Sequence, residues 1–347
     1  MGRVTIRDIA REAGVGVTSV SRALNDQPGL SARTRARILA VAERLDFSPN
    51  PHARSLKAKQ NPSAISALVK GPANPMFQVL GDHLETDIRG RGLTYEIVRV
   101  TNEEDIYDEA RRVGEVERPA GMLLLGGAIN PTPDQVAAIP SPFVLVTTPL
   151  LDGVDPTTYS SVRVDEEQSV ALQVQSLVDR GHRRIAYLGM PADEHAVGAV
   201  RLAAFVATMT RLGLDCGPEL QLHAEGWGAQ YYSFDYGHRL ASELLDRGTD
   251  VTAICAASDT IALGAHKAIV ERGHRIPDDF AVVGFDGIEQ TRWVHPSLAT
   301  IRQPVEDIAG AACDLLFRRI GHGGEHQHVV FPGSLVTEAS LGPHRER

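Results

Sequence analysis

Residues 5–25 read TIRDIAREAGVGVTSVSRALN, which is two short helical patterns separated by a glycine-containing turn. The first pattern places apolar residues on one helix face, at Ile6, Ile9, Ala10 and Ala13. Thr5 is a suitable N-cap for this helix, and Gly14 is a stop signal. A second helix is predicted from about Val17 to Leu24. Two short helices joined by a tight turn are typical of a helix-turn-helix unit.

The second helix of this pair carries the residues that point to DNA. In a helix-turn-helix unit this helix lies in the major groove, and side chains near its start reach base edges. Val17, Thr18 and Arg22 are placed for these contacts. Ser21 and Asn25 also lie on its surface. The alternative interpretation is an ordinary three-helix bundle with a basic surface.

A third helix, starting at Ser31, completes a compact and basic unit. Its apolar stripe is predicted at Ile38, Leu39, Ala42 and Leu45. Residues 1–60 contain 11 Lys/Arg and 5 Asp/Glu, a net charge of +6, whereas the whole chain carries −9. The remaining residues therefore carry −15. Only the first 60 residues have the charge that attraction to DNA requires.

The length of 347 residues predicts two or three domains, and 43% hydrophobic and 23% charged residues exclude a disordered or collagen-like chain. The three cysteines, Cys216, Cys255 and Cys313, have neither metal-site nor disulfide-framework spacing, which favours a reducing compartment. No apolar run approaches the roughly 20 residues of a membrane helix, and the N-terminus lacks the apolar stretch of a signal peptide. We therefore expect a cytoplasmic protein with no membrane partner.

The segment after the third helix has the start signals of a helix that is too short to be stable alone. Asn50 is a good N-cap and Pro51 suits the first helical position, so a helix is predicted from Pro51 to about Ala58. A helix of about eight residues is marginal in isolation. It therefore needs a partner that stabilises it. The alternative is a flexible linker.

From residue 63 onward, short apolar runs alternate with amphipathic helical patterns. The predicted strands are Ala64–Val69, Thr94–Val100, Gly121–Leu125, Phe143–Thr147, Ser161–Val164, Arg184–Gly189, Thr252–Ala256, Phe280–Phe285 and Leu298–Arg302. Helices between them include Gln78–Arg89, Glu167–Arg180, Val200–Leu212, Gly237–Arg247 and Thr260–Arg272. This alternation predicts parallel sheets with right-handed crossovers. Because about 285 residues are too many for one such sheet, two lobes with a cleft between them are expected.

Several short motifs resemble those of the LacI/GalR family of transcription regulators. In the first 50 residues the matching stretches are Val4–Ala10, Ala13–Val15, Val20–Asn25, Ser31–Arg35 and Pro49–Asn50. In the remainder they are Asn74–Phe77, Gly181–Ala186, Ala257–Asp259, Ala262–Ala265, Val282–Asp286 and Leu298–Pro304. The order of these stretches is the order in the family. A chance match of head, linker and body together is therefore excluded.

The resemblance implies an all-α helix-turn-helix head with a hinge helix, and a two-lobed α/β effector domain like that of periplasmic binding proteins, with parallel sheets. The expected boundaries are 1–48 for the head, 49–62 for the hinge helix and linker, and 63–347 for the effector-binding and dimerisation domain. Within that domain, lobe 1 is expected over about 63–163 and 292–324, and lobe 2 over about 164–291 and 325–347.

The resemblance also implies a homodimeric repressor on a pseudo-palindromic operator in double-stranded DNA. Two hinge helices of such a dimer meet in the minor groove, and Leu56 matches the leucine that wedges between base pairs. Arg54 belongs to the same helix. Further family contacts with DNA fall on Thr5, Thr34 and Asn50. A segment that folds only against DNA and its twin acts as a switch.

A small-molecule effector between the lobes is the second expected partner. Its candidate contacts are Phe77, His195, Arg201, Trp227, Asp259 and Asp286. Carboxylates and a guanidinium suit vicinal hydroxyls or polar ring edges, and Phe77 and Trp227 are candidates for stacking on a sugar or base. A sugar or sugar derivative is favoured, with a nucleobase or another polar metabolite as the alternative.

Enzymatic and metal-binding alternatives have little support in the sequence. It contains no G-x-x-x-x-G-K-[ST] loop, no G-x-S-x-G elbow and no H-E-x-x-H helix. His322, His326 and His328 lie near Gly323 and are interpreted as part of a glycine-rich surface loop rather than a metal site. An exported solute-binding protein would share the two lobes but not the basic head. We therefore expect no enzymatic activity, no cofactor and no metal.

Overall fold

The structure is a computed structural model that describes residues 6–24, 30–45, 63–70, 74–101, 104–128, 130–191, 197–225, 231–248 and 250–343. The chain divides into two compact units, residues 1–61 and residues 62–347. Some predictions fall outside the described residues, namely those for Thr5, Asn25, Asn50, Arg54, Leu56, His195, Trp227 and the short helix from residue 51 to 58.

The first unit contains three helices, α1 (Ile6–Ala13), α2 (Val17–Leu24) and α3 (Ala32–Arg44). They enclose a small core of Ile9, Ala10, Ala13, Val20, Ala23, Ile38, Val41 and Ala42. Gly14 follows α1 with a φ of +60°, a conformation that glycine adopts without strain, and so ends the helix as predicted. The hydroxyl of Ser31 accepts a hydrogen bond from the backbone N–H of Thr34 (3.2 Å) and caps α3.

The predicted apolar stripe of α3 is wrong at one position. Leu39 is 44% exposed, whereas Val41 is buried in the core. Ile38, Val41 and Ala42 follow the i, i+3, i+4 spacing of one helix face. Leu39 is rotated by about 100° from Ile38 and therefore faces outward.

The described residues of the second unit form two six-stranded sheets. The first contains β1 (Ala64–Lys70), β2 (Thr94–Val100), β3 (Gly121–Leu125), β4 (Phe143–Val146), β5 (Ser160–Val164) and β11 (His328–Phe331). The second contains β6 (Ile185–Leu188), β7 (Gln221–Leu222), β8 (Ala253–Ala256), β9 (Ala281–Asp286), β10 (Ala299–Arg302) and β12 (Ser334–Val336). The strand orders are β11-β5-β4-β3-β1-β2 and β12-β10-β9-β8-β6-β7.

The strand pairing confirms the prediction of parallel sheets. All neighbouring strands are parallel except β12, which is antiparallel to β10. β3 reads GMLLL and β8 reads AICA, and every residue of both strands is buried. Continuous apolar strands of this kind are buried on both faces by helices.

Eight helices of the second unit connect and cover these strands in the described residues. They are α4 (Pro75–Gly90), α5 (Ile106–Val116), α6 (Pro133–Ala137), α7 (Glu166–Val178), α8 (Val197–Arg211), α9 (Phe234–Asp246), α10 (Asp259–Glu271) and α11 (Val305–His322). The first sheet with α4, α5, α6 and α11 is called lobe 1, and the second sheet with α7 to α10 is called lobe 2. No helix in the described part of the chain is both long and apolar enough to cross a membrane.

The chain passes between the two sheets three times, after β5, after β10 and after β11. The predicted lobe boundaries are wrong at the second and third passages, because 292–324 was assigned to lobe 1 and 325–347 to lobe 2. Instead β10 pairs with β9 in lobe 2, and β11 pairs with β5 in lobe 1. β10 and β11 are separated from their partner strands by other parts of the chain. Local sequence patterns therefore do not reveal which sheet each of them joins.

The surface loop predicted near Gly323 spans residues 323–327 and includes His326, whereas His322 and His328 belong to the flanking helix and strand. His322 lies at the end of α11, and His328 begins β11. His328 contacts Ser161 Oγ through Nδ1 (2.8 Å), and His326 Nδ1 lies 3.1 Å from Ser160 Oγ. His326 and His328 thus attach an edge strand to β5. Among the described residues, no group of three or more His, Cys, Asp or Glu is arranged to hold a metal ion.

Candidate functional site

In the first unit, α2 has a buried side and an exposed side. Val20 and Ala23 pack in the core, whereas Val17 is 47% exposed and Arg22 is exposed. The exposed residues include the first residue of the helix, where contacts with base edges are made in helix-turn-helix proteins. Within α2 itself, the side chains of the predicted contacts Thr18 and Ser21 lie outside the described part of the structure.

The third helix of this unit also presents basic side chains to solvent. Arg33 and Arg37 of α3 are exposed, and Thr34 lies beside them in the first turn of the same helix. Exposed guanidinium groups provide the charge that phosphate contacts use. The first unit therefore presents a helix and a basic surface of the kind that binds duplex DNA.

In the second unit, five buried polar side chains meet where strands of both sheets end. They are Asn74, Glu166, Arg201, Asp286 and Gln303, and we call them the interlobe cluster. Asn74 comes from lobe 1, between β1 and α4, and the residues it meets come from lobe 2 or from the passage after β10. Ligands of open α/β sheets bind at the carboxyl ends of strands, which is where this cluster lies.

Asp286 connects the two lobes. Asn74 donates its Nδ2–H to Oδ2 (2.8 Å), and Gln303 donates its Nε2–H to Oδ1 (2.8 Å). Asp286 ends β9 with a φ of +122°, a backbone conformation that is strained for a residue other than glycine. Such strain persists where surrounding contacts hold it, and here two amide groups hold the side chain.

Arg201 occupies the centre of the interlobe cluster and is only 4% exposed. Its Nε–H and Nη2–H donate to the two carboxylate oxygens of Glu166 at 2.7 and 3.3 Å, and Nη1–H donates to the carbonyl oxygen of Ala257 at 2.6 Å. Nη1 also lies 3.6 Å from Oδ1 of Asp286. The guanidinium carbon lies 3.7 Å from the centroid of the Phe285 ring. Bidentate pairing and stacking together fix the side chain in one geometry.

Burial and charge act against each other in the interlobe cluster. Burial raises the pKa of Glu166 and the pKa of Asp286, and the charge of Arg201 opposes both shifts. Burial also favours neutral Arg201, but the carboxylates of Glu166 and Asp286 outweigh it and raise the pKa of the guanidinium. Arg201 therefore remains charged, and its charge is shared between two acids.

Several buried polar atoms of the second unit have no hydrogen-bond partner among the described residues. They include the hydroxyl oxygens of Tyr187 and Tyr232, the Oε1 of Gln303 and the Nε of Arg163. Burial raises the pKa of both tyrosines, the charge of Glu166 adds to both shifts, and the charge of Arg201 opposes them. A buried polar atom without a partner costs free energy that a bound molecule can recover.

Asp259, a predicted effector contact, has both carboxylate oxygens occupied by the protein. One accepts the backbone N–H of Gly287 (2.7 Å) and of Ile288 (2.8 Å), and the other accepts the hydroxyl of Thr300 (2.6 Å). Burial, with a smaller contribution from Asp286, raises its pKa well above the usual range. This geometry makes Asp259 a positioning residue, because it holds the turn that follows Asp286.

Phe77 lies in the first turn of α4 and is partly exposed. Its ring is close to Gly126, just beyond the carboxyl end of β3, so it faces the same edge of the sheet as Asn74. The structure thus brings Arg201 and Asp286 together. Asp259 holds the turn that follows Asp286, and Phe77 lies at the edge of the lobe 1 sheet where β3 ends.

The sequence did not single out five residues of this region, namely Asn74, Glu166, Tyr187, Tyr232 and Gln303. Asn74 and Gln303 each follow a strand and precede a proline, a position that was visible in the sequence. Glu166 is a helix-start glutamate, which is normally solvated, and nothing in the local pattern distinguishes it. Tyr187 lies within the predicted strand Arg184–Gly189 and was not predicted as a site residue.

Comparison with known proteins identifies the family to which the chain belongs. Residues 5–50 match the family of bacterial regulatory proteins of the lacI type, and residues 174–341 match the periplasmic binding protein-like domain. The HTH-type transcriptional regulator MalR of Clostridium butyricum is 32% identical over 341 residues, which cover 97% of this chain and 99% of the relative. The chain belongs to the LacI family. This LacI-family protein is also 29% identical to catabolite control protein A of Priestia megaterium, over 90% of this chain and 91% of that relative.

Solved structures have the same architecture along the whole LacI-family chain. The complex of the transcriptional regulator CelR with cellobiose is 26% identical and covers 97% of this chain and 100% of its own, with a TM-score of 0.70. The lac repressor dimer bound to operator and an anti-inducer shares the fold at 24% identity, with a TM-score of 0.74 over 98% and 100% of the two chains.

These matches confirm the predicted helix-turn-helix head and the periplasmic-binding-protein-like body. Members of the family are DNA-binding transcriptional regulators and not enzymes. The chain is therefore a regulator of the repressor type.

Proposed function

We propose that this regulator is a homodimer that binds a pseudo-palindromic operator and is switched by a small molecule held between lobes 1 and 2. The observation that carries the proposal is the hydrogen bond from Asn74 of lobe 1 to Asp286 of lobe 2 (2.8 Å), within a buried group of polar side chains. A ligand that bonds to either residue acts on the contact between the lobes. It therefore favours one relative orientation of the lobes over another.

The DNA part of the proposal assigns base and phosphate contacts to Val17, Thr18, Ser21, Arg22 and Asn25 in or next to α2, and to Thr5, Thr34, Asn50 and Arg54 elsewhere in the head. Exposed Val17 and Arg22 support the role of α2. Leu56 is assigned the minor-groove wedge at the operator centre. The lac repressor structure contains a dimer on its operator, which supports the two-fold arrangement proposed for this chain.

The proposed effector is a sugar or sugar derivative. CelR binds cellobiose, and another relative, 28% identical, is the ribose operon repressor of Escherichia coli. The proposed contacts are Arg201, Asp286, Phe77, His195 and Trp227, with Asp259 positioning the turn after Asp286. A change in lobe orientation would alter the spacing of the two linkers of the dimer and thereby determine whether both hinge helices form. The coupling is reciprocal, so operator DNA and effector must each change the affinity for the other.

The first test is selection of duplexes from a random pool, followed by affinity measurement on the best inverted repeat and on random duplex at moderate salt. We expect a clear preference for the repeat. Leu56→Ala should weaken binding to the repeat by about 2–3 kcal/mol, roughly a hundredfold in Kd, because bent DNA is not stabilised without the wedge.

Binding of the Leu56→Ala variant to random duplex should change less than about twofold, since unbent DNA does not receive the wedge. Leu39→Ala is the matched control, as it removes an exposed leucine from α3 of the same unit. Equal losses on both duplexes would refute the wedge, and no preference for any repeat would refute the operator-binding proposal.

A further inference from the structure

Gln173 of α7 is completely buried, and its amide is bonded to the main chain of lobe 2. Its Nε2–H groups donate to the carbonyl oxygens of Ala256 (3.0 Å), Val283 (3.0 Å) and Gly284 (2.9 Å). Ala256 ends β8, and the other two residues belong to β9. One side chain thus joins the ends of two neighbouring strands.

The amide of Gln173 lies where the pairing of β8 with β9 stops. The last paired residues of these strands are Cys255 and Val283. β8 remains paired with β6 as far as Ala256, and β9 remains paired with β10 as far as Asp286. The ladder between β8 and β9 therefore ends early, and Gln173 supplies N–H donors to carbonyl groups at and beyond its last pair.

The orientation of this amide identifies the group that makes the contact. The Oε1 of Gln173 is buried and has no hydrogen-bond partner among the described residues. The reverse orientation would place this oxygen against three carbonyl oxygens, none of which can donate. Since a buried acceptor without a donor costs free energy, the N–H groups are the part of the side chain that this position requires.

The amide holds β9 close to the residue that connects the lobes. Asp286 lies two residues beyond Gly284 and has a strained φ of +122°, so its position depends on how firmly the preceding residues are held. Gln173 holds Gly284 through its carbonyl oxygen. Asp259 holds the same residue from another direction, because a methyl group on Gly284 would clash with its carboxylate.

The same amide also acts on an acceptor of Arg201. Nη1–H of Arg201 donates to the carbonyl oxygen of Ala257 (2.6 Å), and Ala257 directly follows Ala256. Without the N–H groups of Gln173, three buried carbonyl groups would lack these donors and would recover N–H partners by closing the gap between the strand ends. Such a movement would displace Asp286, at the end of β9.

We infer that Gln173 is a positioning residue for the interlobe site and acts by keeping the ends of β8 and β9 apart, so that Asp286 reaches Asn74 of lobe 1. The inference deepens the proposed function, since the bond between Asn74 and Asp286 is the observation that carries that proposal. The contribution of this bond to stability should therefore depend on the amide of Gln173, although its N–H groups are directed to backbone carbonyl groups and to neither side chain of the bond.

The test is a double-mutant cycle on the full-length protein, with urea unfolding followed by tryptophan fluorescence. Gln173→Met keeps the length of the side chain and removes its N–H groups, and Asn74→Ser removes the amide that reaches Asp286. In the wild type, Asn74→Ser should raise the equilibrium constant of unfolding at least about fivefold, and in Gln173→Met less than about twofold. An equal effect of Asn74→Ser in both backgrounds would overturn the inference. The cycle uses neither effector nor DNA, so its failure is distinguishable from failure of the proposed switch.

The matched control is Gln175→Met on the same helix. The Nε2–H of Gln175 donates to Asp179 (2.6 Å) at the surface and not to the sheet. In this background Asn74→Ser should keep an effect of at least about fivefold. Loss of the effect here as well would show that any substitution in α7 weakens the contact between the lobes, and the specific role of Gln173 would be refuted.

A conservative variant provides a rescue. In Gln173→Glu at about pH 5.5, a carboxyl buried among carbonyl oxygens is neutral and donates one O–H, so Asn74→Ser should again have an effect of at least about threefold. Burial makes the pKa of this carboxyl higher in the folded than in the unfolded state, so the variant should lose stability relative to the wild type as pH rises. A Gln173→Glu variant that behaves like Gln173→Met at about pH 5.5 would overturn the inference.

The rescue also replaces the first comparison if Gln173→Met does not fold. Gln173→Glu is then measured at about pH 5.5 and about pH 9, since the ionised carboxylate has no hydrogen to donate. The effect of Asn74→Ser should fall at the higher pH in this variant and not in the wild type, whose amide does not titrate. An effect that is the same at both pH values in the variant would refute the role of the N–H groups.

Discussion

The two units of this regulator use arginine in opposite ways. In the head, Arg22, Arg33 and Arg37 are exposed to water. In the body, Arg201 is buried and paired with Glu166 through two N–H groups along one edge of its guanidinium. An exposed guanidinium attracts a polyanion through solvent, and dissolved salt weakens this attraction. A buried guanidinium instead fixes the geometry of a site. Burial and partners, rather than residue type, determine which role an arginine has.

The ion pairs of the two units differ in the same way. Arg44 and Glu12 join α3 to α1 at 2.9 Å, and both side chains are largely exposed. An exposed pair of this kind contributes about 0–1 kcal/mol to stability. Breaking a buried pair by removing one partner costs about 3–5 kcal/mol, because a charge is left without compensation.

The largest expected effect comes from Arg201→Ala, which should lower the free energy of unfolding of the second unit by about 3–5 kcal/mol. Both tryptophans, Trp227 and Trp293, belong to that unit, so urea unfolding followed by tryptophan fluorescence reports on it alone. Arg44→Ala serves as control for loss of an exposed pair and should leave this transition unchanged. A loss below about 1 kcal/mol in Arg201→Ala would contradict the contrast between the units.

An intermediate effect is expected from Asn74→Ser. Serine keeps an N-cap for α4 but lacks the amide N–H that reaches Asp286, so the second unit should lose about 1–2 kcal/mol. Asp105→Ser at the N-cap of α5 exchanges a cap without removing a bond between lobes, and should stay within about 0.5 kcal/mol. Equal losses in the two variants, measured by the same fluorescence assay, would mean that the contact between the lobes contributes nothing.

The smallest effect on stability is expected from Arg22→Ala, within about 0.5 kcal/mol, because the side chain is exposed. The substitution should instead change the affinity for DNA. If Arg22 contacts a phosphate, the slope of log affinity against log salt should fall by about 1. Arg275→Ala removes an exposed arginine from the second unit and should leave the slope unchanged. An unaltered slope for Arg22→Ala would remove it from the phosphate contacts.

The sequence predicted those elements of the fold that have a local signature. α2 begins and ends at the predicted residues, and β2 and β3 match their predicted ranges. β7, with two residues, and β12, with three, are too short to show a periodic pattern. Membership of β10 and β11 in one sheet or the other depends on partners elsewhere in the chain, and local patterns contain no information about it.

The candidate site was predictable only in part for a related reason. Arg201 and Asp286 occupy positions with a family resemblance, and the structure brings them within 3.6 Å. Glu166 lies 35 positions before Arg201, at a helix start where an acidic residue is favoured by the helix dipole in any protein. Its role follows from burial against the guanidinium, which is a property of the fold rather than of the sequence near residue 166.

Two of the three passages between the sheets are in direct contact with each other. The first and third are tied together where the N–H of Asp165 donates to the carbonyl of Phe331 (2.7 Å). Gly333, in the third, is so close to Ser169 and Ile301 that a methyl group there would clash with both. Strands bound side by side resist sliding but still permit bending. We therefore expect a change in the relative orientation of the lobes to bend these passages rather than separate them, and we expect Gly333→Ala to hinder that change because its methyl group would clash with Ser169 and Ile301.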